Sequence, residues 1–277
     1  MDLYTKNSLQ ISKLTTRNYS TSFSLGVALL QKEFRLPIYA IYGFVRVADE
    51  IVDTFHDQEQ AAQLAKFRKN TYAAIEDGMS TNPILHSFQW VVNEYGIDLD
   101  LIESFLYSME MDLSKKEYDA EEFATYVYGS AEVVGLMCLR VFYKGDDEGY
   151  RALIHPARKL GEAFQKINFL RDIKSDYEDR GRFYFPGVDM SEFNDNTKET
   201  IEADIQADFD AAFEGIKKLN RASRLGVLIS YTYYVKLFEK IRRTDASNIF
   251  RKRYRISNIR KIWILIRCSI AVKLGKK

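Results

Sequence analysis

Apolar residues recur at steps of three and four almost throughout this 277-residue chain, and the strict alternation of a half-buried strand is nearly absent. A stripe of that period closes on itself only on a helix, so the chain is expected to be all-α. The 4 prolines point the same way, because average usage of roughly 5% would give about 14. An interior proline removes a backbone donor and clashes with the preceding turn, so their scarcity favours long helices. Helices are expected near 21–31, 37–57, 60–77, 83–95, 98–113, 120–143, 148–173, 198–220, 223–243 and 256–274. The breaks fall at Leu36-Pro37, Asp77-Gly78, Asn82-Pro83, Lys144-Gly145-Asp146-Asp147 and the stretch from Asp179 to Asn196. No Ser/Gly/Pro linker and no internal repeat divides the chain, so a single domain over 1–277 is the expectation.

A hydrophobic content of 46% excludes disordered and collagen-like classes. Cys138 and Cys268 lie in apolar runs, and His56, His86 and His155 show no metal-ligand spacing, which argues against a disulfide scaffold or a zinc centre. The polar start MDLYTKNSLQ does not read as a signal peptide. No apolar run approaches the roughly 18 residues a spanning helix needs. A soluble, cytoplasmic protein is expected. The net charge of +1 conceals an asymmetry: residues 251–277 hold ten Lys/Arg and no Asp/Glu, leaving 30 basic and 39 acidic residues in 1–250. An acidic body with a basic tail argues against nucleic acid as a partner. In the tail, Ile256, Ile259, Trp263, Ile266, Ile270 and Leu274 form a stripe bordered by Arg260, Lys261, Arg267 and Lys273. This reads either as a last helix docked on the core or as an amphipathic helix at the inner face of a membrane.

Two acidic pairs stand out: Asp49 and Asp53 in IYGFVRVADEIVD, and Asp172 and Asp176 in FQKINFLRDIKSDYEDRGRFYFP. Spacing i,i+4 puts both carboxylates of a pair on one face of a helix, although chance alone gives roughly five such pairs in a chain this long. Their apolar surroundings raise their value, since carboxylates on such helices are costly to bury without a cation or partner. One reading is internal salt bridges to Arg46 and Arg171. The other is hard-cation binding: carboxylates with no His or Cys nearby suit Mg²⁺, which is normally shared with substrate phosphates. Asn168, one turn before Asp172, would add an uncharged oxygen, and Arg46 and Arg171 would then become phosphate ligands. Two further segments are the hydroxyl-rich TTRNYSTSF, Thr15 to Phe23, suited to capping a helix or to an anion, and YVYGSAEVVGLMCLRVF, Tyr126 to Phe142. In the latter, Gly129 and Gly135 permit close approach beside an apolar wall.

Taken together, YSTSF, IYGFVRVADEIVD, YVYGSAEVVGLM and LGEAFQKINFLRDIKSDYEDRGRFYFP resemble the squalene/phytoene synthase family over roughly residues 15–260. Within that family, DEIVD and YGSAEVVGLM look closest to bacterial phytoene synthases. The resemblance implies an isoprenoid synthase helical bundle around a central cavity. It also implies a prenyltransferase that joins two geranylgeranyl diphosphates head to head (1′-1) through a cyclopropyl diphosphate, giving phytoene for carotenoid biosynthesis. It implies Mg²⁺, with Mn²⁺ as a substitute, held by Asp49, Asp53, Asn168, Asp172 and Asp176, and no NADPH. Catalytic roles fall to Asp49, Asp53, Asp172, Asp176 and Tyr42, and substrate contacts to Ser22, Phe23, Tyr42, Arg46, Gln165, Arg171 and Arg253. The chain departs from the pattern at Ser175, where relatives often carry an acid, and at Tyr19 and Thr21, where some carry His and Lys. The alternatives are a C30 enzyme acting on farnesyl diphosphate to give squalene or dehydrosqualene, and a non-catalytic helical protein whose acidic pairs are structural. A chain-elongating enzyme or terpene cyclase would be expected to carry DDxxD, which is missing.

Overall fold

The computed structural model describes residues 1–56, 59–178, 181–188, 193–250 and 253–273. Among these, thirteen α-helices and no strand are found, in agreement with the all-α expectation. They are α1 (Leu3–Tyr19), α2 (Thr21–Ala28), α3 (Lys32–Asp53), α4 (Gln60–Asp77), α5 (Pro83–Tyr95), α6 (Leu99–Ser114) and α7 (Ala120–Val127). A π-helical turn, Tyr128–Glu132, leads into α8 (Val133–Phe142). There follow α9 (Asp147–Glu178), α10 (Asp195–Lys218), α11 (Arg221–Arg242), α12 (Ala246–Ile249) and α13 (Asn258–Lys273).

Most boundaries follow from local chemistry. Asn82 caps α5 through its side-chain oxygen with Pro83 at the first helical position, and Asp119 and Glu122 form a reciprocal capping box on α7. Gly78 closes α4 in the left-handed region that glycine tolerates best. Three expectations are corrected. Helix α3 begins at Lys32 and runs through Leu36-Pro37. Pro37 forfeits only a bond to the Glu33 carbonyl, at the exposed start of the helix, where the loss is least. Helix α9 continues past 173 to Glu178, so both Asp172 and Asp176 lie on it. Helix α1 was not expected at all: its buried face is Thr5, Ser8, Leu9, Ser12 and Thr16, a helical stripe built almost wholly of hydroxyl residues.

That small-residue face lets α1 lie close on α3 and α5. The Ser12 Oγ meets the Ser87 Oγ at 2.7 Å, and Thr5 Oγ1 lies 2.9 Å from His86 Nε2. A Cβ at Gly43 of α3 would fall 2.8 Å from Ser12 Oγ, closer than packing allows. Beneath this layer Phe44 stacks on Phe88 with centroids 3.8 Å apart and also contacts Phe67 and Phe105, tying α3 to α4, α5 and α6. A second cluster joins α7, α9, α10 and α11 around Ile167, Leu170, Phe209 and Leu237. The C-terminal halves of α3 and α9 therefore leave two different cores and carry the two acidic pairs.

Candidate functional site

On α3, one turn separates each of Tyr42, Arg46, Asp49 and Asp53 from the next, and the helix turns its other side to the Phe44 core. Arg46 Nη1 lies 3.7 Å from Asp49 Oδ2, and the same guanidinium donates to Glu50. Its plane sits over the Tyr19 ring, 4.5 Å from the centroid, so Tyr19 supports the arginine from below. Arg46 Nε is buried with no hydrogen-bond partner among the described residues. Tyr42 stacks on Phe23 of α2 at 4.8 Å, and burial pushes its hydroxyl up to about 12, with the Asp49 charge adding to the rise.

On α9, Gln165, Asn168, Asp172 and Asp176 follow at helical steps. Gln165 Nε2 donates to Ser130 in the π-helical turn (3.2 Å), and Asn168 donates to Gln165 Oε1 (3.3 Å). Asn168 Oδ1 accepts from the Tyr234 hydroxyl of α11 at 3.2 Å. Asp172 is held from two sides: Arg171 engages both its oxygens, and Arg253 reaches it at 2.6 Å and 3.1 Å. Burial disfavours the Arg171 cation, but the hydrogen bond to Asp172 outweighs this and raises its pKa above the ordinary arginine range. Asp176 is buried beside Arg182, Tyr184 and Phe169 at a crevice of about 170 Å³. Lys174, which lies within this motif, pairs instead with Glu178 at 3.7 Å.

The element joining the two helices was not foreseen. Arg182, in the segment after α9, donates from its backbone N–H to the Asp176 carbonyl (2.8 Å) and from Nη1 to Asp53 Oδ1 (3.0 Å). Its Nη2 donates to the Asp112 carbonyl at 2.8 Å, and the Asp112 carboxylate lies 3.6 Å from Nη1. That buried carboxylate also accepts from Tyr126 (2.8 Å), Tyr184 (3.3 Å) and Tyr118 (3.5 Å). Burial raises the Asp112 carboxyl to about 6, against the opposing pull of Arg182. The sequence gives little sign of this: Asp112 sits beside a second acid, Glu110, in Met109–Leu113, Arg182 lies in GRFYF, and nothing local pairs the two.

Ser22 lines a second crevice, of about 260 Å³, between α2, α11 and α13. These volumes include open solvent at the mouth, and the enclosed space is no more than about 10 Å³, so neither crevice alone holds a long hydrocarbon. Lys261 of α13 enters this second crevice and donates to Thr21 Oγ1 at 2.9 Å. Of the expected apolar wall, Val133 and Met137 are wholly buried in the core, and Val134 and Cys138 pack against it. Both cysteines are free thiols.

The donors gathered here are all oxygens, which fits a hard divalent cation. The carboxylates of Asp49, Asp53 and Asp172 each face an arginine, the pattern raised above as the salt-bridge reading. Among the described residues, the carboxylates that do lie within 4.8 Å of one another as a group of three are Glu162, Asp204 and Asp208. Two ammonium groups already occupy that cluster: Lys166 touches all three acids, and Lys159 bonds Glu162 and Asp208. Burial works against the Lys166 charge, yet its acidic partners raise its pKa above the usual lysine range. The cluster is therefore already compensated without a metal.

The chain matches the squalene/phytoene synthase family over residues 16–260. It is 30% identical over 266 residues to a chloroplastic phytoene synthase from an Oncidium hybrid cultivar, covering 88% of this chain and 63% of that protein. It is 25% identical over 254 residues to a 4,4′-diapophytoene synthase from Staphylococcus haemolyticus, covering 83% and 86%. The chain thus spans less than two thirds of the length of the Oncidium relative. Two crystal structures share the fold. A dehydrosqualene synthase in complex with a ligand superposes with a TM-score of 0.81 at 22% identity, covering 97% of this chain and 98% of that one. A squalene synthase from Alicyclobacillus acidocaldarius gives 0.77 at 20% identity, covering 88% and 96%.

Proposed function

The chain belongs to the squalene/phytoene synthase family, and from that premise we propose that it is a prenyltransferase joining two geranylgeranyl diphosphates head to head to give phytoene. The observation that carries the reading is the matched set of charges on α3 and α9. Carboxylates suited to a divalent cation stand beside arginines suited to phosphate, and the buried Arg46 Nε is a donor without an acceptor among the described residues. A diphosphate that arrives with its cation offers each side a new partner. The total charge is conserved, and neither a carboxylate nor a guanidinium is left unpaired in the process.

In this reading Asp49, Asp53, Asn168, Asp172 and Asp176 would hold Mg²⁺, which when bound draws electrons from the diphosphate leaving group as a Lewis acid. Arg46, Arg171 and Arg253 turn from carboxylate to phosphate oxygens. Ser22 and Gln165 add uncharged hydrogen bonds at the edges of the same surface. Ionisation of one substrate leaves an allylic cation, which the double bond of the second attacks. Loss of a proton closes the cyclopropyl diphosphate. A second ionisation, rearrangement and proton loss then yield the polyene, with no reductant consumed. The stacked rings of Phe23 and Tyr42 offer aromatic faces to the cationic carbons. With its pKa raised to about 12, the Tyr42 hydroxyl stays protonated near neutral pH and acts as a hydrogen-bond donor rather than a base.

A C30 reading, with farnesyl diphosphate as substrate, draws support from the 4,4′-diapophytoene synthase relative, of which the chain spans 86%. A product assay separates the two. Purified protein is incubated with Mg²⁺ and either diphosphate, with and without NADPH, and the extract is analysed by mass spectrometry. A C40 hydrocarbon formed without NADPH and abolished by Asp49→Asn or by a chelator is the expected result. A C30 product from farnesyl diphosphate alone would move the protein to the shorter substrate, and no hydrocarbon from folded protein would overturn both readings.

A further inference from the structure

Helix α13 has two unlike faces. At about 100° per residue, Lys261, Ile264, Leu265 and Cys268 share one side of it. Ile264 and Cys268 are buried on that side, and Cys268 Sγ lies 3.4 Å from Thr232 Oγ1 of α11. Ile259, Ile262, Trp263, Ile266 and Ile270 fall within an arc of about 100° on the opposite side. Their exposures are 71%, 57%, 61%, 42% and 52%. Arg260 and Arg267, both exposed, stand along one border of that arc. The expected stripe is thus divided. Ile256 is buried in the second core, Leu274 lies outside the described residues, and the remaining four members face outward with Ile262.

We propose that this outward face of α13 docks the protein on an anionic lipid bilayer. Soluble surfaces rarely gather four isoleucines and a tryptophan into one strip, and a polar rim around such a strip marks an interaction site. The charge identifies the partner. Arg260 and Arg267 border the strip, and residues 251–277 carry ten Lys/Arg and no acid whereas 1–250 carry an excess of nine acids, so an anionic plane attracts this end of the chain and repels the rest. Tryptophan beside arginine suits the headgroup layer, where a ring buries its body and keeps its N–H wet. The sixteen described residues of α13 make about 24 Å of helix, and one side of it is already committed to α11. Among the described residues no helix is long and apolar enough to cross a membrane, so the contact is in the plane of the surface. Lys261, on the inner side of α13, bonds Thr21 next to Ser22, which puts the docking face directly behind one crevice of the candidate site. The proposal stands on exposure and charge and does not depend on the reaction proposed above.

The test is co-sedimentation of the full chain with sucrose-loaded vesicles, either wholly phosphatidylcholine or containing about 30% phosphatidylglycerol. Wild-type protein is expected to pellet with the anionic vesicles and largely not with the neutral ones. Trp263→Gln combined with Ile266→Gln should lower the bound fraction at least about five-fold, and Arg260→Glu with Arg267→Glu should remove the preference for anionic lipid. These side chains are exposed, so circular dichroism melts of both variants should match wild type. Sedimentation velocity without lipid should show the same mass for wild type and variants. Failure of wild type to pellet with either vesicle, or equal pelleting of wild type and both variants, would overturn the proposal. So would a concentration-dependent dimer that Trp263→Gln dissolves, because the strip would then be an interface between copies.

Discussion

The two acidic pairs are alike in sequence and unlike in how the fold holds them. Asp172 is fastened by an arginine next to it in sequence and by Arg253, a half-exposed side chain from the tail. Asp53 is fastened by Arg182, whose side chain is 10% exposed and is shared with the buried Asp112, while its backbone N–H bonds the Asp176 carbonyl. Asp49 and Asp172 therefore meet partners from their own helix that side-chain rotation can release. Asp53 and Asp176 are tied to the frame around Arg182. Within each pair, the second aspartate is anchored to Arg182, by its carboxylate at Asp53 and by its backbone carbonyl at Asp176.

That contrast can be broken most directly at its two long-range arginines. Arg182→Met should destabilise the protein by about 3–5 kcal/mol, because it strips a fully buried carboxylate of its cation. For a chain of this size that corresponds to a fall in melting temperature of roughly 10 °C, readable by calorimetry. Arg253→Met should cost no more than about 1 kcal/mol, the range of exposed ion pairs. Equal losses would mean that Asp172 is as deeply tied as Asp53.

Asp112→Asn sharpens the same point through pH. Because burial raises the Asp112 carboxyl to about 6, the folded chain keeps a proton that the unfolded chain has released. The resulting penalty is absent below about pH 4, grows as pH rises, and is complete above about pH 6. The variant lacks it. The stability difference, variant minus wild type, should therefore move in the variant's favour by about 3 kcal/mol between pH 4 and pH 7. Denaturant melts at both pH values measure this, and a flat difference would remove Asp112 as a buried charge. At the small end, Lys174→Ala should change stability by less than about 0.5 kcal/mol, since its exposed partner Glu178 lies away from the aspartates. Turnover should change by less than about two-fold, and a larger loss would bring Lys174 into phosphate binding.

The aspartates were legible because i,i+4 spacing inside apolar helices needs only local reading, and the motifs around them carried the family as well. Arg182 and Asp112 were not, since a buried ion network is assembled from residues 70 apart whose shared burial exists only after folding. Helix α1 escaped for a different reason. Its inward stripe has helical period but hydroxyl chemistry, and a search for apolar periodicity passes over a face selected for smallness. The tail was half legible: its amphipathic character was plain, but the side of α13 that would face the protein depended on where Ile264 and Cys268 could dock.

The π-helical turn at Tyr128–Glu132 has a consequence for how this chain can change. One extra residue wound into a helix advances everything after it by about 100°, which is how Tyr126 comes to face Asp112 while Val133 and Met137 face the Phe44 core. A single-residue deletion there would swing α8 out of register with its neighbours and turn its buried face toward the solvent. The turn is thus a frame marker: substitutions elsewhere along α7 and α8 can be absorbed one at a time, but the residue count between Tyr126 and Val133 cannot drift.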